Sequence, residues 1–166
     1  MGPAYKSGAG EAWIERHCAD PSSATPPHAG GSLLRSYQWQ DRFLVGHPEI
    51  DADHRRFFDH FRDMASCVDD PGAGAALDML FTDCVADLIR HHATEEHIVA
   101  RHGFAGLAEH KSRHRTLAYQ AKAALAMGRD GEWMTALMLL STLVLEHVAM
   151  EDANFRTCFA RVAAAG

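Results

Sequence analysis

The sequence lacks the marks of several protein classes, and each absence narrows what the chain can do. Its 16 Lys and Arg against 22 Asp and Glu give a formal charge of −6. The basic residues are scattered rather than clustered, so the footprint that nucleic acid requires is missing. The 4 cysteines, Cys18, Cys67, Cys84 and Cys158, form no C-x-x-C pair and no disulfide framework. They read as reduced thiols, which leads us to expect a cytoplasmic protein. No basic start runs into an apolar stretch, so a secretory signal is not expected. The longest uncharged apolar run, between Glu132 and Glu146, has 13 residues and is too short to span a bilayer. It reads as a core helix, and neither nucleic acid nor a membrane is expected as a partner.

What the chain does have is apolar residues and histidine. With 166 residues, 47% apolar and 23% charged, it can build one domain around a real core. Its 12 histidines are far more than that core needs, and their grouping in the middle of the chain points toward metal.

Residues 1 to 36 are rich in Gly, Pro, Ala and Ser, as in Pro21-Ser22-Ser23-Ala24-Thr25-Pro26-Pro27. Such a segment buries too little apolar surface to offset its ordering entropy, and a disordered extension is expected, with a short helical turn near Trp13. His17 and His28 within it are weak ligand candidates. The domain proper is expected over 37–163. It opens with a non-helical lead-in anchored by Trp39 and Phe43 and turning at Gly46-His47-Pro48. Beyond that point the periodicity is helical throughout. A first helix, about 50 to 68, carries His54, Phe57, Phe58, Phe61 and Met64, and stops before Asp69-Asp70-Pro71-Gly72. A second, about 74 to 101, repeats Leu77, Phe81, Cys84, Leu88, His91, Glu95 and Val99 at steps of three and four. A third, about 107 to 127, aligns Leu107, His110, His114, Leu117 and Ala121, with Gly128 closing it. A fourth, about 130 to 162, has Asp130 as its cap and turns Leu137, Leu140, Val144, His147 and Met150 inward. Short connections make successive helices antiparallel neighbours, so the expected fold is all-α, an up-down-up-down four-helix bundle.

The histidines therefore fall where core residues should be. Residues four apart share a helix face, so His91 with Glu95, and His110 with His114, can each reach one point. Either pair alone means little. His147 and Asp152 are weaker still, because five residues turn about 140° around an ideal helix and converge only near a bend or a helix end. Together, on the inward faces of four helices, five imidazoles and two carboxylates need partners that leucines cannot offer. Metal coordination satisfies them all at once. Neutral imidazole and carboxylate without thiolate suits iron, and also zinc, copper or manganese. Seven ligands exceed what one tetrahedral zinc needs and fit two ions bridged by carboxylates. The neighbours His92 and Glu96 share the same spacing, so a second register exists; Leu88, three residues before His91 on the same stripe, favours His91 and Glu95.

These residues resemble the hemerythrin family in its bacterial single-domain form, over about Trp39 to Phe159. Ile50-Asp51-Ala52-Asp53-His54 is similar to the family's I-D-x-x-H, and His91-His92-Ala93-Thr94-Glu95-Glu96 to its H-F-x-x-E-E. His110 to His114 is similar to its H-x-x-x-H, and His147-Val148-Ala149-Met150-Glu151-Asp152 to its H-[IV]-x-x-x-D. The resemblance implies two iron ions, one held by His110, His114 and His147 and the other by His54 and His91. Glu95, Asp152 and an oxo or hydroxo group would bridge them. The second ion would keep an open position where dioxygen binds reversibly, in a pocket lined by Phe57, Leu143, Val144 and Val148. Reversibility requires that lining to exclude water. Where the family has Phe, this chain has His92, which could offer a polar group near the oxygen site and speed autoxidation; turning toward a neighbouring helix or solvent is the alternative. Ala105 stands where the family often has Pro. His47, His60, His97 and His102 are read as surface or loop residues.

Three functions follow from such a site: an oxygen carrier, store or sensor; a diiron oxidase, peroxidase or nitric-oxide-handling protein; or plain metal binding. Ferritin-like oxidases carry paired E-x-x-H motifs, and this chain has none. Oligomeric state is not fixed by the sequence, and a monomer is compatible with it.

Overall fold

Pro48 fixes the backbone at the first position of a helix, and Glu49 and Asp51 place negative charge at its positive end. From there the three- and four-residue steps of Ile50, His54, Phe57, Phe61 and Met64 carry one buried face for 20 residues. The same logic repeats down the chain. The structure, a computed structural model, describes residues 29–163, which form helices α1 (Ala29–Ser36), α2 (Pro48–Cys67), α3 (Gly74–Arg101), α4 (Leu107–Arg129), α5 (Trp133–Met150) and α6 (Phe155–Ala163). Short 3-10 turns occupy Asp41–Phe43 and Asp152–Asn154, and there is no strand among the described residues. The Trp13 turn, His17 and His28 lie outside the described residues. The stretch expected to be a disordered extension reaches 36, yet its described part, Ala29–Ser36, is helical. The lead-in is partly helical too, because Asp41–Phe43 turns to set Phe43 into the core.

Cross-contacts give the directions of the long helices. His60 meets Asp87 while His54 meets His91, so α2 and α3 run oppositely. Glu95 meets His110 while Asp78 meets Arg129, which does the same for α3 and α4. His114 meets His147 across α4 and α5. Packing of α2 on α5 closes the helical bundle.

Three expected details are corrected. Gly128 does not end α4, which runs to Arg129; the left-handed residue is Gly131 (φ 99°), two residues beyond. Gly128 is instead a close-approach position, since a Cβ there would collide with the Trp133 ring. Asp130 does not cap the next helix, because α5 begins only after Glu132. Finally, the fourth helix is not continuous to 162. It stops at Met150, where the Asn154 amide donates to the carbonyls of Met150 and Glu151, and the chain tightens into the Asp152–Asn154 turn before α6. Met150, expected inside, is 71% exposed at that end.

Two apolar clusters result. The larger contains Phe57, Phe61, Leu77, Phe81, Leu88, Leu117, Leu137 and Val144. The smaller, toward one end, contains Val45, Ile50, Ile98, Val99, Phe155 and Phe159. His54, His91, Glu95, His110, His114, His147 and Asp152 form a polar layer between them, within a helical turn of members of each. By length and composition one stretch, Trp133–Ala160, could cross a membrane. It is bent at Glu151, and its Leu137, Leu140 and Val144 pack in the core. Cys67 and Cys84 are buried and Cys158 is half-buried, and none of the three forms a disulfide among the described residues; burial pushes the Cys84 thiol far up, which leaves it unreactive.

Candidate metal centre

Each element supplies its part of the layer. His54 comes from α2, His91 and Glu95 from α3, His110 and His114 from α4, His147 from the end of α5, and Asp152 from the turn that follows. The bend at Glu151 is what makes the last pair work. On a straight helix Asp152 would point away from His147, whereas the tightened turn brings its Oδ1 to 3.1 Å from His147 Nε2.

All seven side chains are buried, from 0% exposed at His54, Glu95 and Asp152 to 8% at His147. Their donor atoms gather in two groups that share both carboxylates: Glu95, His110, His114, His147 and Asp152 in one, His54, His91, Glu95 and Asp152 in the other. Within each group the ligand atoms lie within 4.8 Å of one another. Glu95 spans the two, with Oε1 2.8 Å from His110 Nε2 and Oε2 2.8 Å from His91 Nε2. Asp152 does likewise, with Oδ2 3.4 Å from His54 Nε2 and Oδ1 facing His147.

His110 Nε2 donates to Glu95 Oε1, but not every close approach in the layer is a hydrogen bond. His54 Nε2, His91 Nε2, Glu95 Oε2 and both Asp152 oxygens are buried without a hydrogen-bond partner, although His91 Nε2 lies 2.8 Å from Glu95 Oε2 and His54 Nε2 3.4 Å from Asp152 Oδ2. These atoms aim at common points rather than along donor-acceptor lines. Native cores seldom tolerate this, because each orphaned group costs its full desolvation. A nitrogen and oxygen donor set with two shared carboxylates fits a pair of metal ions, and the orphaned atoms are those such ions would engage.

Charge follows the same geometry. Burial alone would push His91 down, but Asp53 and Glu95 beside it overcome this and raise it to about 9. Burial would raise Asp152, yet His147 and His54 hold it well below the usual carboxylate range. His114 is pushed down by burial and by the neighbouring imidazoles. The layer thus holds Asp152 ionised and His114 neutral, with a proton on His91 that a metal must displace.

The rear nitrogens of three imidazoles are also held. His54 Nδ1 donates to the Phe43 carbonyl at 3.2 Å, His91 Nδ1 lies 3.4 Å from Asp53 Oδ2, and His114 Nδ1 donates to Glu96 Oε1 at 2.9 Å. Asp51 accepts from the Val45 and Gly46 amides at 2.7 and 3.2 Å and so fixes the loop that presents Phe43. Such contacts set tautomer and ring orientation. The sequence reading missed Asp51, Asp53 and Glu96 as supporting groups. The available signal was an acidic residue directly beside a ligand in the chain, Asp53 before His54 and Glu96 after Glu95.

The structure brings His91 and Glu95 to the layer, not the alternative His92 and Glu96. His92 is nonetheless 5% exposed and lies flat against His114, ring centroids 3.8 Å apart and planes 7° apart. It thus turns to a neighbouring helix, and its Nε2 has no partner. Burial, with the neighbouring imidazoles, pushes it down to about 3, so it is a neutral polar group packed among His91, His114 and His147. Of the four lining candidates, Phe57, Val144 and Val148 are buried in the larger cluster, with the Phe57 ring edge-on to His91 at 5.3 Å. Leu143 is only half-buried. It lines an open groove of about 860 Å³ between α4 and α5 that reaches Leu117 and His147. Among the remaining histidines His97 is exposed, but His60 is half-buried against Asp87 and His102 donates to the Ile98 carbonyl at 2.8 Å.

Comparison with known proteins places this layer in context. The family described as "Hemerythrin HHE cation binding domain" matches residues 45–157, the span that carries all seven side chains. A myohemerythrin from Riftia pachyptila is 31% identical over 90 residues, 54% of this chain and 69% of the relative. No solved structure matches the chain with significance.

Proposed function

The chain belongs to the hemerythrin family, and from that premise we propose that it binds dioxygen reversibly at a non-haem diiron site, as an oxygen carrier, store or sensor. The observation that carries the proposal is the set of buried donor atoms gathered in two groups joined by Glu95 and Asp152, five of them, on His54, His91, Glu95 and Asp152, without a hydrogen-bond partner. His110, His114 and His147 would hold one iron and His54 and His91 the other, with Glu95, Asp152 and an oxo or hydroxo group between them. The scaffold we assign is an up-down-up-down antiparallel four-helix bundle over 37–163. The cytoplasm is the proposed location, and a monomer suffices for the site.

When bound, the iron pair supplies reversible two-electron chemistry toward dioxygen. The chain's own residues decide whether that chemistry stays reversible. His54 and His91 are two imidazoles where the other group has three, so an ion held on their side would have one protein ligand fewer. Phe57, Val144 and Val148, buried in the larger cluster, would wall that polar layer with apolar surface and exclude water, which strengthens every charge interaction inside it. Glu95 and Asp152, with no positive side chains other than histidine beside them, would offset the charge of the cations. The Phe43 carbonyl and Asp53 hold the His54 and His91 rings with Nε2 turned inward.

One observation favours a second reading. His92 puts an unpartnered imidazole nitrogen beside the ligand His114, a polar group in the setting where irreversible oxidation is promoted by proton donors. A diiron oxidase, peroxidase or nitric-oxide-handling protein would use it. Anaerobic reduction of the iron-loaded protein followed by admission of air separates the two. A visible charge-transfer band that appears with oxygen and vanishes on its removal supports reversible binding, whereas one-way conversion to a ferric form with turnover supports the enzyme.

A further inference from the structure

The three supported imidazoles are not supported alike. His54 gives its Nδ1 proton to a neutral carbonyl, that of Phe43, at 3.2 Å. His91 faces Asp53 at 3.4 Å, and that carboxylate is also held by the Arg56 guanidinium at 3.0 Å, which draws off its charge. His114 alone has a short bond to a carboxylate, 2.9 Å to Glu96 Oε1, and only one cation touches the other oxygen, Lys111 Nζ at 3.4 Å. The same ring is packed flat under His92. His114 is therefore the imidazole whose plane is fixed by a stacked neighbour and whose rear proton is pulled most strongly.

We propose that Glu96 is a positioning residue that strengthens His114 as a nitrogen donor and so favours the ferric state at the ion that His110, His114 and His147 would hold. A carboxylate accepting the rear N–H of a ligating imidazole raises its basicity, and a more basic donor stabilises the higher-charged metal. Lys111 opposes this by compensating Glu96. The two halves of the site thus differ in electronic support as well as ligand count, with the neutral carbonyl on one side and the carboxylate on the other. The inference rests on the diiron reading.

The test is the one-electron midpoint potential of the full chain loaded with two ferrous ions, measured by spectroelectrochemistry on wild type, Glu96→Gln and Lys111→Met. Gln keeps an oxygen acceptor for the His114 N–H but removes the charge, so the ferric preference should fall about tenfold, equivalent to about 59 mV upward for a one-electron couple. Lys111→Met leaves the Glu96 charge less compensated and should move the potential in the opposite direction; this side chain is 42% exposed, so folding does not depend on it. Shifts of opposite sign support the assignment, because a merely structural disturbance would move both variants the same way. Shifts below twofold, or of the same sign, overturn it while leaving the diiron centre standing. Wild-type protein that takes up no iron overturns the diiron reading itself.

Discussion

Metal binding should carry a large share of this fold's stability. Four buried side chains, His54, His91, Glu95 and Asp152, present five polar atoms without hydrogen-bond partners. An orphaned buried group costs about 1–3 kcal/mol, so the five together would cost about 5–15 kcal/mol in metal-free protein. Attraction within the His91–Glu95 and His54–Asp152 pairs returns part of that, which makes the lower end, about 5 kcal/mol, the working figure. A domain has only about 5–15 kcal/mol in total. Since about 1 kcal/mol moves the melting temperature of a domain of this size by about 2–4 °C, loading with iron should raise it by about 10–20 °C. Circular dichroism melts of chelator-treated protein, with and without ferrous iron under anaerobic conditions, measure this directly. Calcium, which prefers all-oxygen sites, should do little. If iron is bound and the melting temperature moves by less than about 2 °C, the argument that the layer is built around metal is wrong.

Other consequences can be checked on the same material. Metal-free His91, raised to about 9 from an ordinary 6.5, carries a proton at pH 7.5. Its stabilising effect on the metal-free fold is therefore complete below about 6.5 and is lost as pH rises through about 9, whereas metal binding, which needs that nitrogen bare, should release the proton and tighten over the same rise. Proton release during ferrous titration at pH 7.5, monitored with an indicator dye, should be reduced by about one in His91→Ala, and an unchanged count would contradict the assignment. His92→Phe removes the unpartnered nitrogen beside His114 and should lengthen the lifetime of the oxygenated form severalfold; an equal lifetime would show that the stacked imidazole is inert. Gly128→Ala should cost about 1–3 kcal/mol in a urea melt, because the added methyl has to displace the Trp133 ring.

Much of the centre was legible because ligand spacing and helix period are the same kind of signal. His91 with Glu95, and His110 with His114, stand four apart within stripes otherwise made of Leu and Ala, so the inward face and the donor set are read together. His147 and Asp152 mark where that legibility stops. Their five-residue step makes sense only with the bend at Glu151, and the bend depends on Asn154 reaching back to two carbonyls, a contact no periodicity encodes. The periodic pattern accordingly suggested one helix where there are two. Gly128 shows a related failure, since a glycine near a helix end suits both termination and close packing, and only the position of Trp133 decides between them. Asp51, Asp53 and Glu96 escaped notice for another reason. Acidic residues on helices are ordinarily solvated, and adjacency to a ligand, as for Asp53 and Glu96, does not say that an imidazole lies behind them.

The central claim is that seven buried side chains hold two irons so that dioxygen can arrive and leave. Resonance Raman and visible spectra of the ferrous protein, taken before oxygen, under oxygen and after its removal over several cycles, test it most directly. The account predicts an oxygen-dependent charge-transfer band whose vibrational signature shifts with isotopically labelled oxygen and which disappears on deoxygenation with most of its amplitude recovered in the next cycle. Two bound irons with no such band, or a band that never reverses, would contradict it.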